Sequence, residues 1–354
     1  MKLLAAISHH GFGHLAQAGP VLTALQAQLP DLELTVWSGL GQAALRARMP
    51  FPFRHRAEAA DVGLAMFSPL RVDRARSLAN YQAFHRHWTQ RVAREAAWLE
   101  SEGFGCVFSD VAYLPLAAAQ RAGIPSLALC SLNWRDIAGA YLSEMPGMPG
   151  ILEEMAEAYR SARGFLRPTP AMAMPWLDNA EDIGPIAARG RARRSDIAAR
   201  IGARAETKWV LVGFGGIGYR TPLPVVPGMT WFAPDDWPTE RPDLVNFRQL
   251  GWPFMDLLAS CDALLTKVGY GSFVEAAAHG VPVLYLDRPD WPETPVLAEW
   301  LERNGNGVRL DETALFSDQV GRALDALWAS PKKTAVETKG AAAAARRIEG
   351  LLQA

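Results

Sequence analysis

The chain has little sulfur chemistry to offer. Its three cysteines, Cys106, Cys130 and Cys261, stand apart from one another and form no CxxC pair. That excludes a disulfide frame and a cysteine-built zinc site, and leaves thiols in a reducing, cytoplasmic setting as the expectation. No run approaches the ~18 apolar residues that a membrane span needs. The opening residues, MKLLAAISHHGFGH, interrupt their short apolar run with histidines, unlike a secretory leader. Net charge is only −1, so no global field argues for nucleic acid. No GK[ST] sequence closes a nucleotide P-loop. Two basic stretches, RGRARRSDIAAR and RVDRARSLANYQAFHRHWTQRVARE, read as exposed helix faces. The second is basic and amphipathic, a pattern compatible with peripheral membrane contact.

What is present in quantity is apolar sequence in short runs. With 354 residues and 49% hydrophobic content, the chain can bury two cores of ordinary size. KLLAAIS, LELTVWS, GCVFSD, KWVLVGFGG, ALLTKVG and PVLYLDR read as buried strands, with helical patterns between them. That alternation predicts an α/β fold with parallel sheets covered on both faces. SDVAYLPLAAAQRAGIP (109–125) and TKVGYGSFVEAAAHGVP (266–282) align without gaps as strand, loop, helix, Gly stop, Pro and next strand. The match predicts two Rossmann-like domains. We place them at 1–168 and 187–335, with a proline-rich linker at 169–186 and a C-terminal helix over 336–354.

The stretch SHHGFGHLAQAGP gathers three of the seven histidines between a strand and a helix. Gly11 and Gly13 permit a tight turn and let a ligand approach the backbone. His14 falls in the first turn of the helix, where free N–H groups and a positive dipole end favour a neutral imidazole base. His10 is a candidate for phosphate or acceptor contact. The histidine spacing matches no common zinc pattern, and no neighbouring Cys, Asp or Glu completes a set, so no metal is expected. Asp110, at a strand end in VFSDVAY, reads two ways: a carboxylate that orients a His, or a helix N-cap.

In the second half, Gly213, Gly215 and Gly216 end an apolar strand as a plausible phosphate-approaching loop. Lys267, Gly269, Gly271 and Ser272 lead into a helix whose N–H groups could meet a diphosphate. Glu275 lies one turn on, where a carboxylate can accept ribose hydroxyls or, alternatively, close a capping box with Ser272.

TKVGYGSFVEAAAHGVPVLYL…DWPETP resembles the donor signature of the inverting GT-B plant secondary-product glucosyltransferases, H-C-G-W-N-S-x-x-E-x-x-x-x-G-V-P followed by W-x-D-Q-P. Lys267 stands at the family's phosphate-binding His, Gly269 matches, Tyr270 replaces Trp, Gly271 replaces Asn, and Ser272 and Glu275 match. Glu293 and Thr294 stand at the sugar-reading Asp and Gln, which leaves the donor sugar open. Over nearly its whole length the chain is similar to the N-terminal glycosyltransferase-like part of the plant L-arabinokinases, through HHGFGH, SDVAYLPLAAAQRAGI and TKVGYGSFVEAA. No galactokinase-type phosphate loop occurs, so sugar-kinase activity is not implied. The resemblance implies a GT-B fold, two Rossmann-like domains facing across a cleft. It implies an inverting glycosyltransferase without cofactor or metal. Its donor would be a nucleotide-diphosphate sugar, UDP-linked for preference, and its acceptor an unidentified small or lipid-linked hydroxyl compound. His14 becomes the general base and Asp110 its orienting carboxylate. The competing readings are a nucleotide-sugar hydrolase or epimerase on the same fold, and a nucleotide-sugar-binding protein without turnover.

Overall fold

The computed structural model describes residues 1–215, 222–235, 237 and 241–354, leaving aside the side chain of Phe316. The chain divides into two compact units. The first comprises Met1–Phe67, Arg71–Ile186 and Thr338–Ala354, and the second Ser68–Leu70 and Ala187–Glu337.

Strands β1 (Lys2–Ile7), β2 (Glu33–Trp37) and β3 (Arg54–Arg56) open the first unit, and the short β4 (Met66–Ser68) and β5 (Arg71–Val72) form a separate ribbon. They are followed by β6 (Cys106–Asp110), β7 (Ser126–Leu129), β8 (Phe165–Pro168) and β9 (Ala180–Ile183). The second unit holds β10 (Lys208–Gly213), β11 (Met229–Ala233), β12 (Leu244–Asn246), β13 (Ala263–Lys267), β14 (Val283–Leu286) and β15 (Gly307–Leu310). The sheets run β3-β2-β1-β6-β7-β8-β9 and β12-β11-β10-β13-β14-β15. The pairings within both are parallel. Counted within its own unit, the second sheet has the doubly wound order 3-2-1-4-5-6, and the first adds one strand to it. The order reverses between β1 and β6, and again between β10 and β13. Such reversals open a crevice at the carboxyl ends of the strands.

Parallel strands covered on both faces must be apolar on both, and these are. Leu3, Ala5 and Ile7 pack with Leu15, Ala18 and Leu22 of the helix Gly13–Gln28 on one face of β1. Leu4 and Ala6 pack on the other with Leu99, Leu114 and Ala118. In β10, Trp209 and Leu211 enter one core of the second unit, and Val210 and Val212 the other. The internal sequence match is a structural one. The helices Tyr113–Arg121 and Tyr270–His279 begin at aligned tyrosines. Gly123 and Gly280 take φ of +68° and +65° just past them, a conformation that residues with a Cβ rarely adopt.

Three expectations need correction. Residues 169–186, read as a linker, belong to the first unit and supply β9, the seventh strand of its sheet. That edge strand (AEDI) buries little, so it carries no run of apolar residues to announce it. Its charges are paired instead, Glu181 with Arg347 at 3.0 Å and Asp182 with Arg167 at 2.8 Å. The basic stretch 71–95 is two helices, Arg74–His85 and Trp88–Glu102, broken at Arg86 and His87. The cluster at 189–200 is more than a solvated face: Arg193 pairs with Asp256 at 2.7 Å and Arg194 with Asp262 at 3.0 Å.

The terminal helix, Gly340–Gln353, returns to the first unit, where Ala344, Ala345 and Ile348 join the core beside Gly13–Gln28. Its first residue is fixed by close approach. A Cβ on Gly340 would lie 1.9 Å from the Gly184 carbonyl oxygen and 2.8 Å from the Ile186 side chain. Gly340→Ala must therefore displace the helix start, at a cost of roughly 1–3 kcal/mol. Thermal unfolding and limited proteolysis of the tail check this: a lowered melting temperature with new cleavage in 338–354 is expected, and an unchanged protein would refute the packing.

Candidate active site

The carboxyl ends of β1 and β6 lie side by side, with Ile7 opposite Asp110 and the Ser8 N–H donating to the Asp110 carbonyl at 2.8 Å. From this edge the chain turns through the glycine loop into the helix Gly13–Gln28, whose first turn carries His14. His14 is buried, and its Nδ1 lies 3.0 Å from Asp110 Oδ1, across 96 residues of sequence. Asp110 does not cap the following helix. Ala112 holds that N-cap position without a side-chain bond, so the capping alternative is set aside. Asp110 is completely buried, and burial pushes its carboxyl up to about 6; the bond to His14, its charge and the Cys130 thiol pull the other way.

The seat of His14 is held from one turn further along the helix. Gln17, buried on the same face, donates from Nε2 to Ser131 Oγ at 3.2 Å and accepts the Ser131 N–H at 3.1 Å. This clasp locks the helix start to the loop beyond β7. It also brings Cys130 Sγ to 3.6 Å from His14 Nδ1. Neither Gln17 nor Cys130 was legible as a site residue: Gln17 is ordinary in type with its partner 114 residues away, and Cys130 lies 116 residues from His14. His14, Asp110 and Cys130 form a trio of ligand-type atoms within 4.8 Å of one another, which corrects the expectation that nothing completes a set around His14. The Nδ1–Oδ1 separation of 3.0 Å is that of a hydrogen bond. Two ligands of a tetrahedral zinc ion would stand about 3.3 Å apart or more.

Of the other loop residues, Gly11 takes φ of +86°, and Gly13 is exposed as the first helical residue. His10 meets the Trp134 ring edge-on at 5.0 Å. Among the described residues no side chain caps this helix start, and its first turn holds no acid, which leaves its N–H groups free of an internal carboxylate.

The second unit carries its predicted residues to the equivalent edge. Gly213 ends β10 opposite Thr266 of β13, and the Thr266 hydroxyl donates to the Gly213 carbonyl at 2.6 Å, with Ser272 Oγ 3.1 Å away. Gly215 follows with φ of +83°, and Gly216 lies outside the described residues. The helix begins at Tyr270, two residues earlier than expected, with Gly269 as its N-cap. Ser272 is therefore the third helical residue, which rules out its capping box with Glu275. Gly271 and Glu275 are buried within that helix. Tyr270 is buried in the apolar core with Phe273 and Val274.

Lys267 ends β13 half-buried, its Nζ 3.7 Å from where a Gly269 Cβ would stand. Burial, followed by the charge of Arg288, brings its amine down to about 7, while Glu293 opposes the shift. Arg288, absent from the sequence reading, is buried with its guanidinium 4.1 Å over the Trp291 ring. Glu293 and Thr294 are buried at the start of the helix Thr294–Asn304. The Thr294 hydroxyl donates to the Arg288 carbonyl at 2.7 Å, and Trp291 Nε1 lies 3.5 Å from Glu293 Oε2. Lys267, Arg288 and Glu293 thus form one electrostatic group, and the sequence signal for Arg288 was its place in the LDRPDWPETP turn.

No family model matches the chain. The L-arabinokinase of Arabidopsis thaliana is 26% identical over 324 residues, covering 88% of this chain and 31% of that protein. The chain thus spans about a third of the length of the curated relative it matches. Among solved structures, the glycotransferase of kitacinnamycin superposes with a TM-score of 0.60 at 16% identity, covering 99% of this chain and 94% of that one. The spinosyn rhamnosyltransferase SpnG gives 0.56 at 15% identity, over 100% and 96% of the two chains. UGT2 of Phytolacca americana, complexed with UDP-2-fluoroglucose and pterostilbene, gives 0.56 at 15% identity, over 99% and 94%. The chain is similar to a plant L-arabinokinase in sequence, and its fold is that of the GT-B glycosyltransferases.

Proposed function

We propose that the protein is an inverting, metal-independent glycosyltransferase that uses a nucleotide-diphosphate sugar, UDP-linked for preference. The observation that carries the reading is the 3.0 Å contact between His14 Nδ1 and a buried carboxylate at the switch point of the first sheet. A His that donates Nδ1–H to Asp110 is held in the tautomer whose Nε2 carries no proton and has the basic lone pair. Nε2 takes the proton of the acceptor hydroxyl as that oxygen bonds to the anomeric carbon. The bond from that carbon to the diphosphate oxygen breaks on the opposite face, and the diphosphate leaves with the electron pair. Asp110 is the positioning residue, steadying the imidazolium that forms.

The second unit supplies the donor site in this reading. The N–H groups at the Tyr270–His279 helix start, Ser272 and Lys267 favour a leaving diphosphate, and Glu275 is assigned to the ribose. The fold neighbour crystallised with UDP-2-fluoroglucose supports this class of donor.

Nucleoside diphosphate release from a panel of nucleotide sugars, with and without candidate acceptors, tests the reading. Release that depends on acceptor is expected, whereas free sugar formed without one would make the protein a hydrolase. His14→Ala should abolish turnover and leave donor affinity within about twofold. Asp110→Asn keeps an acceptor for Nδ1–H but removes the charge, and should lower kcat by about 10²–10⁴; a variant within twofold of wild type would contradict the role.

The pH profile follows from the two shifted groups. The Asp110 carboxyl, raised to about 6, takes up a proton as pH falls through 6, so kcat/KM should fall below that pH. The Lys267 amine, lowered to about 7, loses its charge as pH rises through 7, so donor KM should rise above it. Lys267→Met should remove that rise, and a rise that persists would place the titrating group elsewhere.

A further inference from the structure

The glycine loop holds a second imidazole–carboxylate pair that this mechanism leaves unused. Asp61, in the segment between β3 and β4, is fully buried. Its Oδ2 accepts the Trp134 Nε1–H at 2.7 Å. Its Oδ1 lies 3.6 Å from Nδ1 of His9 and has no hydrogen bond of ordinary length among the described residues. His9 is exposed, two residues beyond β1, so the ring turns one nitrogen toward a buried charge from an accessible position. Trp134 in turn stands 5.0 Å from the His10 ring and 5.5 Å from the His14 ring. One carboxylate is therefore joined to all three loop histidines, to His9 directly and to the other two through one indole.

Two glycines make room for this arrangement. A Cβ on Gly39, just past β2, would come within 3.1 Å of the His9 ring. A Cβ on Gly63 would come within 2.8 Å of the His10 ring and 2.9 Å of Trp134. Backbone from two further segments closes on the imidazoles at the strand-end edge, where open parallel sheets bind their ligands. Packing of that closeness fixes ring orientation, which a proton-transferring site requires.

We propose that Asp61 is a positioning residue for the loop, holding His9 with one oxygen and, with the other, fixing the indole of Trp134 against His10 and His14. The proposal rests on the reading of His14 as the base and adds the residue that aims it. Its charge reaches further than its contacts. The Asp61 carboxylate holds the His9 imidazole above its usual range, against burial. It also adds to the upward push on the Asp110 carboxyl and on the phenols of Tyr81, Tyr113 and Tyr159. Removing the charge should therefore lower both the His9 and the Asp110 midpoints.

Histidine titration by NMR on the full chain, alongside kcat and KM, tests the proposal. Asp61→Asn is isosteric and still offers an oxygen to Trp134 Nε1–H, so it removes the charge alone. Trp134→Phe keeps an aromatic ring and removes the N–H, so it breaks the brace alone. In Asp61→Asn the protonated fraction of His9 at pH 7 should fall about twofold or more. In Trp134→Phe the His9 titration should stay near wild type while the His14 ring signals shift. Both variants should lower kcat about tenfold while donor KM stays within about twofold, as misaim of a base predicts. The same His9 midpoint in Asp61→Asn and wild type, or His14 signals unmoved by Trp134→Phe, would overturn the proposal. The titrations need no substrate. If the wild-type protein released no nucleoside diphosphate at all, the transferase reading would fall while the Asp61 linkage was still decided by the imidazoles.

Discussion

The pairing of β1 with β6 is the constraint on which the first unit's chemistry depends. Parallel strands joined in the order 3-2-1-4 put the ends of two segments, a hundred residues apart in sequence, at the same height. Ile7 opposite Asp110 then decides everything nearby: a loop leaving β1 must pass over the carboxylate that ends β6. Because both strands are buried on both faces, neither can slide by one residue without turning its side chains into the opposite layer. The 3.0 Å contact of His14 with Asp110 is thus held by the sheet register and by the Gln17–Ser131 clasp, rather than by loop packing alone.

The second unit repeats this plan with the charge reversed. In the internal sequence match Asp110 falls on Lys267, and the two residues end the equivalent strands β6 and β13. One switch point therefore presents a buried acid and the other a half-buried amine. Burial works against the charged form in each case, raising the carboxyl to about 6 and lowering the amine to about 7. An acid set beside an imidazole suits proton handling, and an amine ahead of a helix start suits an anion. The same strand-end position thus carries opposite charge in the two units.

The sequence displayed the architecture well because buried parallel strands are written as unbroken apolar runs, such as LLAAI and WVLVG, which local reasoning detects. It hid β9, whose residues AEDI lie at a sheet edge and bury little. It left Asp110 between two roles, since an N-cap and an orienting carboxylate look alike until the partner is known. The partner was set by sheet order, which no local window contains. Asp61 and Gln17 were invisible for the same reason: their partners lie 73 and 114 residues away.

The most direct measurement on the central claim is the tautomer of His14 in the 354-residue chain, read from its ¹⁵N shifts at about pH 7.5. The account predicts a proton on Nδ1, with the downfield signal of a hydrogen bond to Asp110, and a bare Nε2 ready to accept one. A proton on Nε2, with Nδ1 bare, would contradict it, because the basic nitrogen would then face Asp110 and not an acceptor hydroxyl.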